Sequence, residues 1–178
     1  MRRMRLLVTG VALLLATAAH AAPGLWKLQA EFVDENGKRA ALSHWAGEQT
    51  VVSMEYSACK FVCTTNWKRL LDIQAEADRQ KVPVRFLVVS LDPVNDSPAA
   101  WRDYMKVRGI SRSNWSFLTG DRAATDKVVA ALGVKWWYFN DSIMHDFRVV
   151  GVNAKGDQLS VMNNYSDSAA QFLGALNK

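Results

Sequence analysis

Thr50-Val51-Val52-Ser53-Met54-Glu55-Tyr56 runs directly into Ser57-Ala58-Cys59-Lys60-Phe61-Val62-Cys63, and a helical pattern follows. The first seven residues form a short, largely apolar run of the kind that makes a buried strand. Beyond the cysteines, Trp67, Leu70, Leu71 and Ala75 recur at three- and four-residue spacing, which predicts a helix that buries those four. A strand that delivers two thiols to the start of a helix builds a reactive sulfur site. The positive end of the helix and its unpaired amides favour thiolate over thiol. Cys59 and Cys63 are the only two cysteines of the chain. In a helical segment, residues four apart share one face, so the two sulfurs can reach one ion or each other.

The elements around this segment alternate. Leu28 to Val33 and Lys38 to Leu42 predict a hairpin across Asp34-Glu35-Asn36-Gly37, where Asn36-Gly37 suits a positive-φ turn. Val84 to Leu91 is the strongest strand pattern, and Asp92-Pro93 ends it. Ser97 can cap a helix with Pro98 at its first position, where a missing N–H costs nothing. Trp115 to Leu118 predicts a strand, and Asp121 to Leu132 a helix stopped by Gly133. Asp146 to Val152 and Gln158 to Met162 predict a second hairpin, after which Ser166 or Asp167 opens a closing helix. Strands alternating with helices, with hairpins at both ends, imply an α/β domain built on a central mixed sheet flanked by helices.

The chain's 178 residues suffice for one domain with a proper core. Residues 1–21 read as a secretory signal: Arg2, Arg3 and Arg5 precede an apolar run, and Ala19-His20-Ala21 offers a small-x-small cleavage site. The expected organisation is a leader over 1–21 and one domain over 22–178. The apolar run is shorter than a spanning helix needs, so membrane contact would come through a partner or an uncleaved leader. Loss of the three leader arginines lowers the formal charge from +5 to +2. That balance, with no basic block carrying interleaved aromatics, gives no case for nucleic-acid binding. Export, read as periplasmic from the bacterial character of the leader, places the cysteines where disulfides persist. A purely structural Cys59–Cys63 staple would close a very short loop and constrain the unfolded chain little.

Apart from His20 in the leader, the histidines are His44 and His145. Two thiolates and one imidazole make a soft donor set suited to Cu(I), and imidazole also binds Cu(II). Structural zinc wants four protein ligands, and there is no third cysteine. A lone histidine near a strand edge is otherwise a surface or hydrogen-bonded residue. Asp146 can orient the His145 imidazole, although strand alternation would point it to the other face. Met144 and Met54 are thioether candidates, with core packing sufficient to explain Met54. His44 caps or solvates a turn. Trp136-Trp137-Tyr138-Phe139 reads as core packing with edge exposure, and otherwise as a wall that screens the site or receives a partner. Lys60, between the thiols, would favour thiolate by charge attraction.

Several segments in order resemble the Sco/SenC family of thioredoxin-fold copper proteins. Tyr56 to Cys63 is similar to the family's cysteine segment, Ser90-Leu91-Asp92-Pro93-Val94-Asn95-Asp96-Ser97-Pro98 to its SVDPxRDTP stretch, and Leu118-Thr119-Gly120-Asp121 to its LTG turn. His145 lies eleven residues before Gly156, much as the family's metal-binding histidine precedes the turn of a late hairpin. The resemblance implies a thioredoxin-like fold with an N-terminal hairpin and a late hairpin insertion. It implies copper ligands at Cys59, Cys63 and His145, and a role in assembling the copper site of a respiratory oxidase. The partner would be a copper-acceptor protein, supplied with copper or reduced at its thiols. What the resemblance implies is a metallochaperone rather than an enzyme in the turnover sense. The alternative is a thiol–disulfide oxidoreductase in which Cys59 attacks and Cys63 resolves, without metal.

Overall fold

The computed structural model describes residues 24–59 and 63–177, with the side chains at 63 and 64 outside that description. The expected leader over 1–21, and Lys60, Phe61 and Val62 of the cysteine segment, lie outside the described residues.

Among the described residues, nine strands and four α-helices follow one another: β1 (Glu31–Asp34), β2 (Arg39–Ala41), β3 (Thr50–Glu55), α1 (Cys63–Gln80), β4 (Arg85–Ser90), α2 (Pro98–Arg108), β5 (Trp115–Gly120), α3 (Arg122–Leu132), β6 (Trp136–Phe139), β7 (Ser142–His145), β8 (Val149–Val152), β9 (Gln158–Met162) and α4 (Ala169–Leu176). Seven strands form one sheet in the order β2-β1-β5-β4-β3-β8-β9. The central β5-β4-β3 trio is parallel, whereas β1 and β8 join it antiparallel. This is the mixed, helix-covered sheet of a thioredoxin-like fold.

Alternation along the central strands sorts the core into two layers. Val52 and Met54 of β3, with Leu87 and Val89 of β4, pack with Val128 and Leu132 of α3. Val51 of β3 and Phe86 and Val88 of β4 face the other way, onto α1, α2 and α4 through Leu70, Ile73, Trp101 and Leu173. Glu55 shares the parity of Val51, so β3 carries a carboxyl into the layer beneath α1 and α2.

The helix ends follow their capping residues. Ser97 Oγ accepts the Ala100 N–H at 3.1 Å, with Pro98 in the first turn, and Gly109 ends α2 at φ 66°. Asp121 caps α3 from outside, accepting the Ala124 N–H at 2.7 Å, so the helix begins one residue later than the periodicity predicts. Ser168, not Ser166 or Asp167, caps α4; the Asp167 carboxylate instead accepts the Asn163 and Asn164 N–H groups. In α1 the buried side is Trp67, Leu70, Ile73 and Ala77, while Leu71 and Ala75 face solvent. The helix is rotated from the predicted face because its sheet contact follows Trp67, which packs on Trp115 and Tyr104.

The element missing from the sequence reading is the β6–β7 hairpin, a separate two-stranded sheet. Its two-residue turn is Asn140-Asp141, with φ of 44° and 58°. Two consecutive left-handed residues are what a tight hairpin turn needs, and Asn and Asp tolerate them best after glycine. Trp137, Tyr138 and Phe139 are exposed on it, rather than packed into the core.

Candidate metal and thiol site

The cysteine loop leaves the C-terminal end of β3, where loops over a parallel sheet collect ligand sites. Its first turn closes through the Cys59 N–H to the Tyr56 carbonyl at 3.2 Å. The Ser57 N–H donates to Asp96 Oδ1 at 2.8 Å, and Ser90 Oγ donates to Asp96 Oδ2 at 2.5 Å. Asp96 is 2% exposed, and burial pushes its carboxyl up from the ordinary value while these donors pull it down. One carboxyl thus ties the cysteine loop to the β4–α2 connection. Cys59 is half-buried and disulfide-bonded. Cys63 opens α1, with its side chain outside the described residues.

His145 ends β7, opposite Trp136 of β6. The hairpin is fixed to the loop by Tyr56, whose hydroxyl donates to the Ile143 carbonyl at 2.8 Å, across 87 residues of sequence. Ile143 is buried in the α3-side core, against which Tyr56 and Trp136 also pack. The Arg122 guanidinium at the start of α3 sits 5.0 Å from the Trp136 ring centre, a cation–π contact. The residue that begins the cysteine loop therefore bonds to the strand that carries His145, two positions before it.

The imidazole is 5% exposed. Its Nδ1 lies 2.9 Å from the Asp146 carbonyl oxygen, which requires Nδ1–H as donor and leaves Nε2 as a lone pair. Nε2 is buried and has no hydrogen-bond partner. Burial holds the ring's pKa below the ordinary histidine value, against the smaller upward pull of Asp146. A neutral imidazole held by a backbone carbonyl, with an unpaired inward nitrogen, fits a metal ligand. The orienting group is the main chain of Asp146. Its carboxylate instead accepts the Lys135 N–H at 3.0 Å.

Other sequence candidates fall elsewhere. Met144 is half-exposed between buried Ile143 and His145, so alternation turns it to the opposite face. Met54 is buried in the α3-side core. His44 is exposed, 3.1 Å from Lys38 Nζ, on the N-terminal hairpin side. Among the described residues, no three His, Cys, Asp or Glu side chains are grouped to hold a metal; the Cys63 sulfur lies outside them. A cavity of about 720 Å³ between the N-terminal hairpin and α3 is lined in part by Asp96 and by no residue of the His145 hairpin.

Glu55 is the residue that the sequence reading passed over. It is 1% exposed, and burial drives its carboxyl up from 4.5 to about 8. An acid closing an otherwise apolar strand, four residues before a cysteine, was the available signal.

The SCO1/SenC family model matches residues 23–177. The SCO1 protein homolog of Bacillus subtilis is 28% identical over 89 residues, half of this chain and 46% of that protein. The chain thus spans about half or less of the length of the curated relatives it matches. Bradyrhizobium japonicum ScoI, solved with copper bound, superposes with a TM-score of 0.66 at 22% identity, covering 83% of this chain and 95% of that one. BsSco, described as a member of the Sco family of cytochrome c oxidase assembly proteins with a disulfide switch, gives 0.72 at 20% identity over 83% and 88%. At these identities the superpositions establish the shared fold. Among the described residues, no helix is long and apolar enough to cross a membrane.

Proposed function

The chain belongs to the SCO1/SenC family, and on that premise we propose that it is an exported copper-binding protein with Cys59, Cys63 and His145 as ligands. It delivers copper to a copper-site acceptor, such as a respiratory oxidase subunit, or reduces that acceptor's thiols. The observation that carries this reading is the His145 imidazole, neutral, with Nε2 buried and unpartnered. A core histidine with no metal to bind would normally satisfy both nitrogens. Two thiolates and that nitrogen supply the soft, low-coordination set that Cu(I) favours. Copper moves as cargo, by ligand exchange with the acceptor and without change of oxidation state. Residues 1–21 act as the export signal, and 22–178 form the single working domain in the periplasm.

Disulfide chemistry is the second reading, and the bonded state of Cys59 favours it. The two are linked, since a Cys59–Cys63 disulfide offers no thiolate to copper and must first be reduced by two electrons and two protons. The test is an anaerobic Cu(I) titration of reduced protein against a competing chelator, beside Cys59→Ser, Cys63→Ser and His145→Ala. One-to-one binding that collapses in both cysteine variants and weakens in His145→Ala is expected. Weak binding indifferent to His145 would sink the copper reading and leave metal-free exchange at Cys59 and Cys63.

A further inference from the structure

The β6–β7 hairpin stands apart from the seven-stranded sheet. Its register sets Trp136 opposite His145, Trp137 opposite Met144, Tyr138 opposite Ile143 and Phe139 opposite Ser142. Directly opposed residues share a face and successive residues alternate. One face of the ribbon therefore carries Trp136, Tyr138, Ile143 and His145, and the other Trp137, Phe139, Ser142 and Met144. At the base the first face is seated: Ile143 and His145 are buried, and Trp136 packs on the α3-side core. Toward the tip both faces are open among the described residues. Trp137 is 49% and Phe139 62% exposed on one face, and Tyr138 is 62% exposed on the other.

Scattered exposed apolar residues are ordinary, but three consecutive aromatics at the end of a tight turn are not. Area and shape together say what covers them. The three side chains offer roughly 100 Å² each, about 300 Å² together. That falls well short of the ~800 Å² that each side of a stable protein interface buries. A flat protein surface would also cover one face of the ribbon and leave the other in water. A lipid headgroup layer needs no matching shape and closes around both faces of a protruding wedge. Trp and Tyr favour that layer, since each joins an apolar ring to a polar tip. Charge narrows the kind of lipid. Asp141, in the exposed turn, is the one charged residue from Trp136 to Met144, while Lys135 and Arg122 lie at the hairpin's base. An anionic surface repels that carboxylate, and a zwitterionic one does not.

We propose that the tip of the β6–β7 hairpin is a membrane-docking wedge, in which Trp137, Tyr138 and Phe139 enter the headgroup layer of a zwitterionic bilayer. Membrane contact then needs neither a partner nor the leader. Strands of four residues span about 13 Å, so docking holds His145, at the hairpin's base, within about that distance of the lipid surface. Nothing in the docking requires copper. It is tested on metal-free protein, and its failure would leave the proposed cargo untouched.

The experiment is flotation with phosphatidylcholine vesicles, run on the full chain and on the chain lacking residues 1–21, which removes the leader's own affinity for lipid. Residues 1–21 contain no tryptophan, so the emission of wild type minus that of Trp137→Phe reports the hairpin in both forms. Brominated phosphatidylcholine should quench that difference signal. Serine at positions 137, 138 and 139 together should cut the partition of the leaderless chain about tenfold or more, given the apolar area removed. Its thermal midpoint should stay at the wild-type value, because the three side chains lie outside the core. Asp141→Asn should raise partition onto phosphatidylglycerol vesicles severalfold, and no gain there would overturn the choice of a zwitterionic surface. Equal flotation of wild type and the triple-serine variant, or a Trp137 signal that brominated lipid leaves unquenched in both forms, would overturn the docking itself. A tip that ignores lipid but crosslinks through position 138 to the copper domain of an acceptor would also overturn it, and would assign the wedge to a protein partner.

Discussion

Replacing Glu55 with glutamine should make the protein more resistant to unfolding in alkaline solution, and the size of the gain follows from where β3 places the side chain. Glu55 is 1% exposed, with one oxygen bonded to Ser53 and the other unpartnered. Burial raises its carboxyl from 4.5 to about 8. In the unfolded chain the same group ionises near its ordinary value. Between those two pH values the folded state therefore binds one more proton than the unfolded state, so stability falls as pH rises. The contribution is fully present below about pH 4.5 and is lost as pH climbs through about 8. At about 1.4 kcal/mol per pH unit across that window, the loss is on the order of 5 kcal/mol. Glutamine keeps the shape and the hydrogen-bonding capacity of the neutral acid but cannot ionise. Urea unfolding of both proteins in the same cysteine oxidation state should give similar stabilities near pH 5. The variant should pull ahead by several kcal/mol near pH 9. A stability difference that stays constant from pH 5 to pH 9 would refute the reasoning, because it would mean that the folded protein carries an ionised Glu55 throughout.

Two further substitutions test how the site is held. Tyr56→Phe removes the bond to the Ile143 carbonyl; it should cost about 1 kcal/mol and speed amide exchange across Ser142 to His145 about fivefold, and unchanged exchange would show that the hairpin is held by packing alone. Gly120→Ala places a methyl 2.7 Å from the Phe32 ring and 2.9 Å from the Ala124 side chain; thermal unfolding should reveal a loss of about 1–3 kcal/mol, and a wild-type melting temperature would mean the β1–β5–α3 contact has slack.

How the order of elements was readable, and the hairpin was not, comes down to the range of the forces involved. Ser97-Pro98, Gly109, Asp121 and Gly133 act within a turn of their own positions, so helices α2 and α3 begin and end where those residues stand. The face that α1 buries depends instead on Trp115 and Tyr104, residues from other elements, which is why Leu71 and Ala75 turned out exposed. The β6–β7 hairpin hides in four consecutive aromatics with no alternation of polarity, three of them facing solvent. Its one local signal is the Asn140-Asp141 turn.

The sequence by itself determined the strand that hands Cys59 and Cys63 to a helix, the soft Cys and His donor types, and the caps that set the alternation of strands and helices. These are properties of neighbouring residues. Only the tertiary structure decided that Tyr56 reaches Ile143, that the Asp146 carbonyl rather than its carboxylate sets the His145 tautomer, and that Glu55 ends buried in the layer under α1 and α2. Each of these depends on burial and on partners far away in the chain. Burial fixes whether an acid or an imidazole carries charge, and no spacing along the sequence encodes it.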